Sequence, residues 1–128
     1  VALGKRPHMG VFGTDYPTRD GSGVRDYIHI EDLARAHIAA LEHLWKGGGS
    51  DTFNCGYGHG ASVLEVIRTF EKITGKPLAH RIEGRRAGDP AELVADATRL
   101  RNVLGWKPEV DDLERICASA LAWEKTQK

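Results

Sequence analysis

No uncharged apolar run in these 128 residues approaches the ~18 needed to cross a bilayer, and no charged-then-apolar leader opens the chain. A cytoplasmic protein with no membrane contact is expected. An excess of one charge sign is also missing: 18 Lys and Arg stand against 18 Asp and Glu, so no overall field draws the chain to nucleic acid. Cysteine is scarce. Cys55 and Cys117 are the only two and form no CxxC, which reads as free thiols in a reducing compartment. Cys55 with His59 supplies two metal ligands where a site needs more, so no metal is expected.

Catalytic signatures are missing too. Tyr16, Tyr27 and Tyr57 are followed four residues on by Asp20, Glu31 and Ala61, so no Tyr-x-x-x-Lys pair exists. Neither a G-x-S-x-G elbow, a phosphate-binding Walker loop nor an H-E-x-x-H pair occurs. His37 falls on an apolar helix face, where a half-buried structural histidine is the simpler reading than a general base. The length allows one modest hydrophobic core and excludes two.

What is present is an alternation of short strands and helices, which predicts an α/β fold. Residues 1–27 carry seven of the glycines and prolines that punctuate loops, and read as irregular chain. A strand is predicted over Asp26–Ile30, then a helix over 31–46 from the spacing of Leu33, Ala36, His37, Ala40, Leu41 and Leu44. A second strand is predicted over 51–55. Ser62 and Glu65 form a capping box that starts a helix carrying Val63, Val66, Ile67 and Phe70, closed by Gly75 and Pro77. A strand over 78–83 and a short extended stretch at Leu93 and Val94 follow. Asp96 is expected to cap a helix ending at Gly105, and a last helix spans about 111–125. So few strands make an incomplete doubly wound sheet, from which a piece of a longer protein is expected; the opening on Val1 fits that expectation and fits processing equally.

Two patterns suggest ligand chemistry. Gly56, Gly58 and Ala61 fit G-x-G-x-x-A between a strand and a helix, where a dinucleotide pyrophosphate would sit. Against it, Ser62 already caps that helix, the upstream strand is polar at Asp51 and Thr52, and Glu83 comes too late to hold a ribose. A tight turn is the preferred reading. The second pattern is a pair of basic loops, with Arg25 after Gly21-Ser22-Gly23 and with Arg85-Arg86 ahead of Asp89. Converging guanidiniums offer a fixed fork of donors to phosphate, and an adjacent carboxylate can accept from ribose hydroxyls. Alternatively, Arg85 and Arg86 are solvated or paired with Glu83, Asp89 or Glu92.

Three stretches carry a resemblance: the run from Val11 through Asp15-Tyr16-Pro17 and Gly23-Val24-Arg25-Asp26-Tyr27 to Leu33, the tetrapeptide Phe53-Asn54-Cys55-Gly56, and Arg85-Arg86-Ala87-Gly88-Asp89-Pro90. In colinear order over nearly the whole chain, they resemble the C-terminal portion of the UDP-glucose 4-epimerase family of extended short-chain dehydrogenases/reductases. The resemblance implies that residues 1–128 are the UDP-sugar-binding region and that 27–56 are late elements of a Rossmann sheet. It implies that the backbone at Gly10 and Phe12 meets uracil, Arg25 and Arg86 contact the diphosphate, Asp89 binds the uridine ribose, and Leu93 helps set the size of the sugar pocket. It further implies UDP-glucose and UDP-galactose as ligands and a homodimeric parent. NAD and the catalytic Ser or Thr and Tyr-x-x-x-Lys would belong to the preceding portion, so this chain supplies neither catalytic nor cofactor-binding residues. Another NAD-dependent nucleotide-sugar epimerase or decarboxylase, or a non-catalytic UDP-sugar-binding module, is the alternative.

Overall fold

A computed structural model describes residues 1–127. In chain order its elements are β1 (Met9–Phe12), β2 (Val24–Arg25), α1 (Ile30–Trp45), β3 (Ala61–Ser62), α2 (Val63–Thr74), β4 (His80–Glu83), β5 (Glu92–Leu93), α3 (Thr98–Leu104) and α4 (Leu113–Thr126). The mixed α/β class is as expected.

The helices begin where a side chain can accept from an orphan amide. The His29 ring accepts from the Glu31 amide at the start of α1, and Asp112 accepts from the Arg115 amide at the start of α4. The capping box of Ser62 and Glu65 is fully formed at α2. Gly75 and Gly105 close α2 and α3 in the left-handed conformation that glycine adopts without strain. At α3 the expectation shifts by one residue: Ala97 is the cap residue, and the Asp96 carboxylate accepts from the Thr98 amide at 2.9 Å.

β1 pairs with β4 in parallel, Met9 opposite His80 and Phe12 opposite Glu83. β2 is the middle strand of a second sheet of order β3-β2-β5, antiparallel to β3 and parallel to β5. Residues 1–27 are therefore not wholly irregular: both sheets take a strand from them, because their partners lie far along the chain where local periodicity cannot show them. The strand expected over 26–30 does not form. Asp26 instead turns its carboxylate to the amides of Tyr57 and Ala95, and α1 starts at Ile30. Residues 51–55 form no strand ladder among the described residues.

Two hydrophobic clusters form, where a single core was expected. One holds Ala36, Tyr57, Ala97, Leu100 and Trp106, the other Val11, Ile67 and Leu78. Strands of two residues offer no continuous apolar face to join them. α1 packs on α3, and α2 packs on α4. Among the described residues no helix is long and apolar enough to cross a membrane.

Candidate functional site

β1 is an edge strand with one partner. The amides of Met9 and Gly13 donate to the carbonyls of Ala79 and Glu83 on the β4 side. Because backbone groups alternate between the two edges of a strand, the amides and carbonyls of Gly10 and Phe12 face the edge without a neighbouring strand. A cavity of ≈ 240 Å³ opens there, lined among others by Gly10, Phe12, Tyr16, Arg25, Arg86 and Asp89. A Cβ on Gly10 would lie 3.0 Å from a Glu83 carboxylate oxygen and 3.1 Å from the Phe12 ring, so glycine leaves both in place.

The chain turns sharply after β1 at Gly13, whose φ is 94° and whose Cβ position lies 2.7 Å from the Tyr16 ring. Arg85 braces this turn. Its Nε and Nη2 donate to the Asp15 carboxylate at 2.8 Å and the Asp15 carbonyl at 2.5 Å, and its guanidinium covers the Tyr16 ring. The hydrogen bond from Arg85 holds the Asp15 carboxyl below its ordinary range. With Arg85 committed outside, Arg86 turns to the cavity, 4.4 Å above the Phe12 ring, and its Nε donates to Asp89 Oδ2 at 3.1 Å. Arg25 Nη2 approaches Asp89 Oδ1 at 4.0 Å, while its Nη1 donates to the Val24 carbonyl. The two basic loops thus converge on one carboxylate. The pairing alternative also holds in part, since Arg86 pairs with Asp89 and Arg85 with Asp15, an acid that sequence reading did not consider.

The loop that leads to Arg25 carries a polar latch. Asp20 accepts from the Ser22 amide and hydroxyl, from the Ser62 hydroxyl at 2.5 Å and from Arg68 at 2.9 Å. Burial alone would raise the Asp20 carboxyl, but these donors outweigh it and hold it below the ordinary range. Arg19 pairs with Glu65 and donates to the Gly60 carbonyl, tying the same loop to the start of α2.

Five of the six expected residues, Gly10, Phe12, Arg25, Arg86 and Asp89, share the cavity wall. Leu93 does not; it stands opposite Arg25 in the β2–β5 ladder, largely exposed. Tyr16 was missed, and Arg85, expected with Arg86 in a basic loop, instead braces Asp15 and Tyr16. An aromatic at the head of the polar run Tyr16-Pro17-Thr18-Arg19-Asp20 was the available signal.

The Gly56 loop does not fit a dinucleotide. The α2 amides that would meet a pyrophosphate are taken: Val63 by the Gly23 carbonyl, Leu64 by the Ser22 hydroxyl and Glu65 by the Ser62 hydroxyl. The Gly56 Cα faces the Asp26 carboxylate, with a Cβ position 2.1 Å from its oxygen, which is the wrong charge beside a phosphate. Among the described residues no group of three or more His, Cys, Asp or Glu could hold a metal ion.

The NAD dependent epimerase/dehydratase family model matches residues 2–56. Over 124 residues the chain is 55% identical to a UDP-glucose 4-epimerase of Azospirillum brasilense, a match covering 97% of this chain and 36% of that protein. The UDP-Glc/GlcNAc 4-epimerase of Campylobacter jejuni superposes with a TM-score of 0.90 at 49% identity, over 98% of this chain and 38% of that one. A UDP-glucose 4-epimerase from Bifidobacterium longum, solved with NAD+ and UDP, superposes at 0.86 with 43% identity, over 98% of this chain and 37% of that one. The chain is thus similar along nearly its whole length to UDP-glucose 4-epimerases of the extended short-chain dehydrogenase/reductase fold. It spans between a third and two fifths of the length of these relatives.

Proposed function

We propose that residues 1–128 are the UDP-sugar-binding portion of a cytoplasmic, homodimeric UDP-glucose 4-epimerase, which interconverts UDP-glucose and UDP-galactose. One observation carries this reading: guanidiniums from distant segments, Arg25 and Arg86, meet a shared carboxylate at a cavity whose wall includes the free edge of β1. Uracil presents alternating donors and acceptors, which suit the alternating backbone groups of Gly10 and Phe12. The diphosphate falls to Arg25 and Arg86, the ribose hydroxyls to Asp89, and Leu93 borders the hexose. The cavity lies below the ~300 Å³ at which small-molecule sites begin, as suits a site the rest of the enzyme would complete.

Epimerisation at C4 requires a hydride to leave and return, which bound NAD supplies in such enzymes. The Gly56 loop offers no seat for NAD, so cofactor and proton chemistry belong to the remainder of the protein. This chain contributes binding energy and orientation. Residues 27–56 fit as the seam toward that remainder, since 51–55 lie without ladder partners among the described residues. The free thiols Cys55 and Cys117 suit a reducing compartment.

Calorimetric titration of UDP into the chain tests the reading, with Arg86→Ala as the comparison. Saturable binding that weakens in the variant is the expected result. Absence of UDP binding by folded chain rejects the site as one that stands without the rest of the enzyme.

A further inference from the structure

We infer that Asp89 makes the cavity selective for a nucleoside diphosphate over bare phosphates, by acting as a built-in counter-ion to Arg25 and Arg86. This rests on the UDP-binding reading above and deepens it. The carboxylate stands between the two guanidiniums, with Oδ2 3.1 Å from Arg86 Nε and Oδ1 4.0 Å from Arg25 Nη2. Among the residues lining the cavity these three alone carry formal charge, so the wall holds two cations and one fixed anion.

The main chain that carries the anion is tied in place. The Asp89 amide donates to the Arg86 carbonyl, the Tyr16 hydroxyl reaches the Asp89 carbonyl, and Gly88 makes the left-handed turn between them at φ 86°. Pyrophosphate arriving at the arginines therefore meets a like charge held within contact range. It must displace that carboxylate from its partners and offers it nothing in return, because an ionised carboxylate only accepts hydrogen bonds. A ribose attached to the diphosphate brings hydroxyl donors to the same oxygens. The carboxylate thus repels the phosphate moiety alone and is satisfied by the nucleoside, so its contribution is to the ratio of affinities.

The test is titration of pyrophosphate and of UDP into the chain and into Asp89→Asn, which keeps the side-chain shape. Pyrophosphate is expected to bind the variant about tenfold more tightly, an effect set by one unit charge at close range in a partly exposed site. UDP is expected to gain less, so the preference for UDP over pyrophosphate falls. Asp89→Ser removes the carboxylate with another turn-compatible side chain and gives the same direction if folding of the first variant is impaired. Glu92→Gln, which removes an exposed charge outside the cavity, shifts pyrophosphate affinity less than twofold.

Pyrophosphate affinity unchanged or lowered in Asp89→Asn and Asp89→Ser overturns the inference. UDP binding to the wild-type chain then leaves the UDP-site reading standing. Tightened pyrophosphate binding in a chain that never binds UDP would sink the UDP reading and keep the counter-ion. Failure of both ligands with every variant overturns both.

Discussion

The central guanidinium carbon of Arg86 lies over the Phe12 ring, 4.4 Å from the ring centre. The stack keeps a long, exposed side chain over the cavity before any ligand arrives, and such contacts contribute about 0.5–1 kcal/mol at exposed sites. Arg86→Ala is expected to weaken UDP binding tenfold to a hundredfold, since a charge-assisted bond is worth roughly 1.5–3 kcal/mol. Phe12→Leu should weaken it a few-fold. Calorimetry on both single variants and the double variant checks the coupling. Strictly additive losses would show that the stack does not help Arg86 bind.

Of the glycines in the loop leading to Arg25, Gly21 leaves the least room for a side chain. Its φ is 81°, and a Cβ there would lie 2.0 Å from the Thr14 carbonyl oxygen, a backbone atom that cannot swing aside. Gly21→Ala is expected to cost more than about 2 kcal/mol in urea denaturation and to lower UDP affinity, because that loop sets Arg25. Gly49→Ala meets nothing within 4 Å and has no left-handed φ, so its stability should stay the same or rise slightly.

Asp32 ties the start of α1 to the segment before α4. Fully buried, it accepts from the amides of Glu109 and Val110, from Arg35 and from the Tyr57 hydroxyl at 2.8 Å. Burial would raise its carboxyl, but these donors hold it below the ordinary 3.8. A depressed folded value means the charge stabilises the fold above the unfolded value and loses that contribution as pH falls through the folded one. Stability should therefore be level toward neutral pH and fall below about pH 4, a slope to which Asp20 and Glu65, also depressed, add. Asp32→Asn should flatten part of that acid limb in denaturation curves taken across pH. If the limb keeps its full slope, Asp32 is not among its sources.

Tyr57 is pushed up to about 12, by burial first and by the Asp32 carboxylate as well, so its hydroxyl stays protonated and donating. The same oxygen accepts from the His29 amide at 3.0 Å. Tyr57→Phe leaves the buried His29 amide without its acceptor and takes one of four donors from Asp32, and is expected to cost about 1–3 kcal/mol by urea denaturation. A change below about 0.5 kcal/mol would mean water replaces the hydroxyl.

Ile30, Ile38, Leu41 and Trp45 line the outer face of α1, with Trp45 82% exposed. Ile38, Leu41 and Trp45 follow one another at steps of three and four residues and Ile30 lies eight before Ile38, so the four make one apolar stripe, the sort of surface that in isolation associates. Sedimentation velocity should show concentration-dependent self-association of the chain that Ile38→Glu with Trp45→Ser abolishes. A monomer at every concentration would contradict this.

The helices were legible in the sequence because their signals are local: the Ser62–Glu65 box, the 3.6-residue stripes and the closing glycines all act within a few positions. The strands were not. β2 is two residues long and its Val24 pairs with chain 38 and 68 positions on, at Ser62 and Glu92, so no pattern inside Val24–Arg25 could announce it. Asp26–Ile30 has strand composition, yet the Asp26 carboxylate finds amide donors on other segments. For the site, the resemblance supplied Gly10 and Phe12, whose proposed contact with the ligand is through backbone groups and leaves little trace in side-chain chemistry. The resemblance also singled out Arg86 over its neighbour, whereas the pairing of Arg85 with Asp15 became visible only in three dimensions.

The position of β2 between β3 and β5 means that the two cations are anchored by different parts of the chain. Arg25 is set through its main chain, pinned by ladders on both flanks, whereas Arg86 is set through its side chain, by the Phe12 ring and the Asp89 carboxylate. A change that loosens the ladders therefore displaces Arg25 together with its strand, while a change at Phe12 or Asp89 releases the Arg86 guanidinium and leaves its main chain where it is.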